Sequence, residues 1–180
     1  GIYVVRSDGT RLRKLAATRG FPTRPAWSPA RTVTGKPLIV FSDAVADNEE
    51  EYDLFGVHPD GSGLRNLTRT PGVKETHPTW SPDARRIAYV ATYDRELRSS
   101  APRYRSSRRP DSPRTRCVQD VMISRLVLDK AGIELVEPEN VTYVRGSDLA
   151  FDAVSEESHR FESLSFVRTS ERLAVIVRRA

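Results

Sequence analysis

Residues 2–15, IYVVRSDGTRLRKL, and 54–67, LFGVHPDGSGLRNL, are two copies of one pattern. Each has an aromatic second position (Tyr3, Phe55), an Asp-Gly pair (Asp8-Gly9, Asp60-Gly61) and a Leu-Arg-x-Leu ending. A second motif keeps step with the first. RPAWSPA at 24–30 matches HPTWSPD at 77–83, and each precedes an apolar run, LIVF at 38–41 and IAYV at 87–90. The first motif recurs after 52 residues, and Trp27 and Trp80 stand 53 apart. A third copy is degenerate: ISRLVLDKAGIELV at 123–136, then SLSFVRTSERLAVIV at 163–177, with Phe166 where the tryptophan stands elsewhere. A repeat constrains the fold more than composition does, because every copy must fold alike and bury its face on the next.

Each copy reads as four short strands separated by turn residues, with essentially no helical periodicity. The first strand ends at Trp-Ser-Pro, where Pro29 and Pro82 remove an N–H and fix φ. The apolar run is the second strand, and the aromatic stretch before Asp-Gly is the third. Asp-Gly supplies the positive φ of a tight hairpin into the fourth strand, Leu-Arg-x-Leu. Asp8, Gly9, Asp60, Gly61 and Asp83 are therefore read as turn formers, and Trp27 and Trp80 as residues packed between neighbouring copies. Four antiparallel strands per copy of this length predict an all-β chain, a partial β-propeller.

The pattern aromatic-x-V-x-x-D-G-x-x-L-R-x-L, then P-x-W-S-P-D, then I-A-Y-V, resembles the WD-like repeat of TolB-type propellers. It is also similar to the propeller blades of prolyl-oligopeptidase-type and tricorn-type peptidases. The match covers about 1–91 strongly and 122–177 weakly. Ala84 departs from it, standing where these repeats usually carry glycine. The resemblance implies a non-catalytic scaffold for a protein or peptide partner, periplasmic or otherwise extracytoplasmic. Its alternative implication is the gating propeller of a serine peptidase whose catalytic domain lies outside this chain.

The copies divide the chain into the end of one blade (1–15), two blades (24–68 and 77–136), a long connection (137–161) and the start of a degenerate blade (162–177). That is three blades' worth, whereas closed propellers have about four to eight. Two closures stay open: the chain is a fragment of a larger ring, or two chains complete a six-bladed ring as a homodimer.

Charge argues against a nucleic-acid groove. The net charge is +5, yet residues 95–116 hold eight arginines against Glu96 and Asp111. That insertion carries +6, which leaves the rest of the chain at −1. A nucleic-acid domain spreads its cations over a face. Binding of nucleic acid through 95–116 is kept as a third reading, and the low-complexity Arg/Ser/Pro composition otherwise reads as a loop without a core. No apolar run approaches the roughly 20 residues of a membrane helix, so no membrane insertion is expected. The single Cys117 excludes an internal disulfide, and His58, His77 and His159 lack metal-ligand spacing. No G-x-S-x-G elbow is present. No catalytic residue, metal or cofactor is assigned.

The segment 43–53 holds six carboxylates in eleven residues and reads as a solvated acidic loop. If strands alternate, the connections 42–53, 92–121 and 137–161 all leave one end of the sheets, and the short Asp-Gly turns leave the other. The long-connection end is the expected binding face. Arg103, Arg105, Arg108 and Arg109 of the basic segment, facing Glu49, Glu50 and Glu51 of the acidic one, are its candidate binding residues.

Overall fold

In chain order the strands are β1 (Ile2–Val4), β2 (Arg13–Ala16), β3 (Thr23–Trp27), β4 (Ile39–Val45), β5 (Asn48–Val57) and β6 (Arg65–Asn66). They continue with β7 (Val73–Trp80), β8 (Arg86–Glu96), β9 (Thr115–Asp129), β10 (Gly132–Asn140), β11 (His159–Phe166) and β12 (Leu173–Arg179). The structure, a computed structural model, describes residues 1–20, 22–45, 48–96, 115–130, 132–141, 159–166 and 173–179. At residue 23 and over 48–50, 94–96, 115–118, 159–164 and 173–179 only the backbone is described. The chain is all-β: among the described residues there is no helix, and none long and apolar enough to cross a membrane.

Two antiparallel meanders hold the repeats. β3-β4-β5-β6 forms the first and β7-β8-β9-β10 the second, each with sequential neighbours paired. A parallel bridge between Tyr52 of β5 and Lys74 of β7 joins them into one hydrogen-bonded sheet. β1-β2 and β11-β12 are separate two-stranded pairs, and no pairing among the described residues closes the sheets.

The copies match bond for bond. Asp8 Oδ1 accepts the Thr10 amide at 2.8 Å, and Asp60 Oδ1 accepts the Ser62 amide at 2.8 Å. Gly9 and Gly61 take φ of 79° and 86°, where a Cβ is strained. The hairpins then share one register: Tyr3 lies opposite Lys14 as Phe55 lies opposite Asn66. At the other corner, the Ser28 hydroxyl accepts the Leu38 amide at 3.0 Å, and the Ser81 hydroxyl accepts the Arg86 amide at 2.9 Å. Each first strand thus ends where Pro29 and Pro82 stop it. The aromatic position pairs alike in all three copies: Trp27 with Ile39, Trp80 with Ile87 and Phe166 with Leu173. That places Phe166 at the tryptophan position.

Alternate residues of the first meander face two cores, which is why LIVF reads as a continuous apolar run. Leu38, Val40 and Leu54 pack with Trp80, Ile87, Tyr89, Leu126 and Ile133 of the second meander. Ile39, Phe41 and Val57 pack with Ile2, Leu15 and Ala16 of β1-β2. The layers therefore stack in chain order, with β11 against β7, β8 and β9.

Several expectations need correction. The acidic segment 42–53 is not a solvated loop but the arms of a hairpin: Asp43 pairs with Asp53 and Ala44 with Tyr52, and both aspartates are buried. The basic insertion is likewise narrower than 95–116, since Arg95 pairs with Arg116 and Glu96 with Thr115. β10 runs on to Asn140 and β11 starts at His159, shortening the connection 137–161. Trp80 is buried between the meanders as expected, but Trp27 is 51% exposed. The reason is positional. Trp80 docks on β3 of the layer before it, whereas the described strands of the layer before Trp27 are β1 and β2.

Candidate binding face

β5 and β7 run parallel, so β4 and β8, antiparallel to them, also run parallel to each other. The hairpins β4-β5 and β8-β9 consequently leave the same end of the sheets, as the alternation of connections predicts. The β2–β3 and β6–β7 connections close over this end too. The Asp-Gly turns lie at the other.

Buried carboxylates hold the connections down. Asp43 accepts the Arg19 amide at 2.9 Å, the Gly20 amide at 3.0 Å and the Ala44 amide at 2.9 Å. Asp53 accepts Asn66 Nδ2 at 2.5 Å and the Thr70 amide at 3.4 Å. Asp120, opposite Ala91 on β8, receives the Tyr93 hydroxyl. An acid is well suited here: a carboxylate has lone pairs for several amides, and a buried N–H left without a partner costs about 1–3 kcal/mol. Lys74 Nζ sits 4.6 Å over the Tyr52 ring, a cation–π contact beside the bridge between the meanders.

Glu75 differs from these aspartates. It is 2% exposed, and its Oε2 has no hydrogen-bond partner. Burial pushes its pKa up to about 7, with the nearby Asp53 charge adding to the rise, while hydrogen bonds from the Thr68 and Thr70 hydroxyls oppose it. No group of three or more His, Cys, Asp or Glu among the described residues is arranged to hold a metal ion. Asp43 and Asp53 hold backbone amides, whereas Glu75 and Asp120 accept side-chain hydroxyls.

Backbone strain also marks the first strands. Arg24 and His77, each just before a proline, occupy matching positions of β3 and β7 with φ of 47° and 58°. In both strands the pairing register shifts there, between Thr23 and Ala26 and between Thr76 and Thr79. Glu137, also before a proline, repeats the device in β10 with φ of 53°. A non-glycine residue in this region costs roughly 1–3 kcal/mol, and such residues concentrate at functional sites. Arg24 is exposed and His77 half-buried. Burial lowers the His77 pKa, and the Arg24 charge lowers it further. The Arg24 guanidinium thus lies on the first strand adjacent to that of His77 and helps to keep the imidazole neutral. The His77 ring bonds the Thr76 hydroxyl at 2.9 Å.

Of the expected binding residues, Arg103, Arg105, Arg108 and Arg109 lie outside the described residues. Glu49 and Glu50 are placed on β5 by backbone alone, and Glu51 is half-buried on the same strand. The charged pairing between these groups therefore has no structural account. Arg24 went unnoticed in the sequence, although a signal was available: both copies carry X-Pro two residues before the tryptophan. A hollow of about 610 Å³ lies elsewhere, at the turn end, walled by His58, Arg65, Leu128 and Gly132 among others.

No family model, no curated protein and no solved structure matches the chain.

Proposed function

We propose that the two meanders and their flanking pairs are blades of a TolB-like β-propeller acting as a non-catalytic scaffold, which binds a protein or peptide at its hairpin end. The propeller reading is supported by the stacking of repeats in chain order and by the shared register of their hairpins. The observation that carries the binding reading is that both long hairpins leave one end of the sheets, with Arg24 and His77 at matching positions of the adjacent first strands. The Arg24 guanidinium at such a position favours acidic or carboxylate-bearing peptide segments. By the same resemblance the site of action is extracytoplasmic.

Selection from a displayed random-peptide library tests this. Enriched peptides are expected to lose binding at least tenfold when Arg24 and His77 are both replaced by Ala, and again when 97–114 is exchanged for a short Gly-Ser link. Equal binding by all three proteins overturns the assignment of the face.

A further inference from the structure

The hollow at the Asp-Gly turn end, about 610 Å³ in volume, lies between the fourth strand of the first meander and the β9–β10 turn of the second. Its floor belongs to the core the meanders share. Leu67 and Ile133 are buried there, and the Leu135 amide donates to the Leu67 carbonyl at 3.1 Å, which holds β10 beside β6. Two large apolar side chains stand on the walls, Leu64 at 48% exposed and Leu128 at 55%.

The polar part of the wall holds two arginines, Arg65 and Arg69, together with His58. Among the described residues no carboxylate lines the hollow. Asp60, close by in sequence, is committed to its own turn: it accepts the Ser62 amide at 2.8 Å and pairs with Lys36 at 3.8 Å. Two glycines leave room for the polar groups. A Cβ on Gly63 would come within 2.9 Å of the His58 ring, and one on Gly132 would collide with the Arg65 guanidinium. His58 Nδ1 donates to the Pro37 carbonyl at 2.8 Å, which fixes the ring.

The repeat accounts for one of these arginines and not for the other. Arg13, at the place of Arg65 in the earlier copy, donates to the Pro59 and Asp60 carbonyls of the next layer, so an arginine there clasps layer to layer. Arg69 has no such precedent: Ala17 occupies its place in the earlier copy. Arg69 is also exposed, where it has no part in the core.

We propose that this hollow binds a small carboxylate with an apolar body, an aryl- or alkyl-carboxylate. Arg69 receives the carboxylate in a field to which Arg65 adds, and the body lies on Leu64, Leu128 and Ile133. A guanidinium offers paired N–H donors that match the two oxygens of a carboxylate. Apolar walls around a concave site of one charge sign strengthen its pull on an anion. The volume falls within the roughly 300–1,000 Å³ of small-molecule sites. A bare phosphate would satisfy the cations and leave the apolar wall in water, which is why the ligand carries a hydrocarbon body. The site rests on neither the propeller reading nor the peptide face at the hairpin end.

The test titrates the full 180-residue chain with phenylpropionate at millimolar concentration and follows backbone amide resonances. Saturable shifts are expected at Gly63, Arg69 and Gly132. Phenylpropionamide, the same body without the charge, is expected to bind about tenfold more weakly, as the loss of a charge-assisted hydrogen bond implies. Arg69→Gln is expected to weaken the carboxylate by a similar factor, and Leu128→Ser severalfold. Both changes fall on exposed side chains and should leave the β circular-dichroism signal intact. No saturable shift at the three amides overturns the proposal. Equal binding of the amide, or of inorganic phosphate, denies the apolar carboxylate and overturns it as well. So does unchanged binding by either variant. Each of these results leaves the peptide selection at the hairpin end untouched.

Discussion

Asp53 and Glu75, buried on the neighbouring strands β5 and β7, divide one threonine between them: the Thr70 amide donates to Asp53, and the Thr70 hydroxyl to Glu75. Burial disfavours the charged form of Glu75, and the neighbouring Asp53 charge adds to that effect. Glu75 yields, its pKa rising from the ordinary 4.5 to about 7.

The first prediction is a stability that falls with rising pH. Glu75 holds its proton more tightly in the folded chain than in the unfolded one. Its contribution is fully present below about pH 4.5 and is lost as the pH climbs through about 7. The loss is on the order of 3 kcal/mol at most. Denaturant titrations between pH 4.5 and 8 should show this decline in the unaltered chain and a much flatter profile in Glu75→Gln. A parallel decline in both removes Glu75 as its source.

The second concerns His77. Its imidazole should titrate below the ordinary 6.5, because burial and the Arg24 charge both disfavour the cation. Arg24→Ala should move the NMR titration midpoint upward, toward 6.5, without restoring it fully, since burial remains. A midpoint unmoved by that change separates the two residues.

How much of this was legible beforehand depended on whether the chemistry is local. The Asp8-Gly9 and Asp60-Gly61 hairpins, and the strand ends at Ser28-Pro29 and Ser81-Pro82, follow from residues that specify their own turn, so the repeat exposed the meanders. The β4-β5 arms were hidden because six carboxylates in eleven residues outweigh the strand period. Asp43 and Asp53 are buried to serve amides of residues as distant in sequence as Arg19 and Thr70, a role that no local pattern encodes. The same holds for Arg24 and His77, whose left-handed backbone is set by the bulge and not by residue type. The fate of Trp27 depended on which strand lies in the layer before it.

The third prediction compares two left-handed residues. Arg11 is exposed with φ of 56°, at the position that Gly63 holds in the next copy. Arg11→Gly should stabilise the chain by roughly 0.5–1 kcal/mol, since relief of the left-handed penalty outweighs the added chain entropy. Ala84, with φ of 57°, is fully buried in the core between the meanders. Ala84→Gly gains similar relief but loses a buried methyl worth about 0.8 kcal/mol, so its net effect should lie near zero. Denaturation midpoints in a single buffer rank the two.

The fourth separates acids that look alike in sequence. Asp43→Ala strands three amides at a buried site and should cost about 2–5 kcal/mol. Asp8→Ala frees the Thr10 amide and hydroxyl to water, because that turn is exposed, and should cost far less than Asp43→Ala. Equal losses in urea titrations contradict the burial of Asp43.

The outer strands of the two meanders bear on how the protein behaves in a crowded solution. β6 is two residues long, too short to template another chain. β10 is nine residues long, but its register breaks at Glu137, whose carboxylate is paired with Arg125, and Pro138 removes an amide from the ladder. Neither rim presents a long flat row of donors and acceptors to a neighbouring molecule. Along these two edges the protein can therefore be concentrated without seeding fibres.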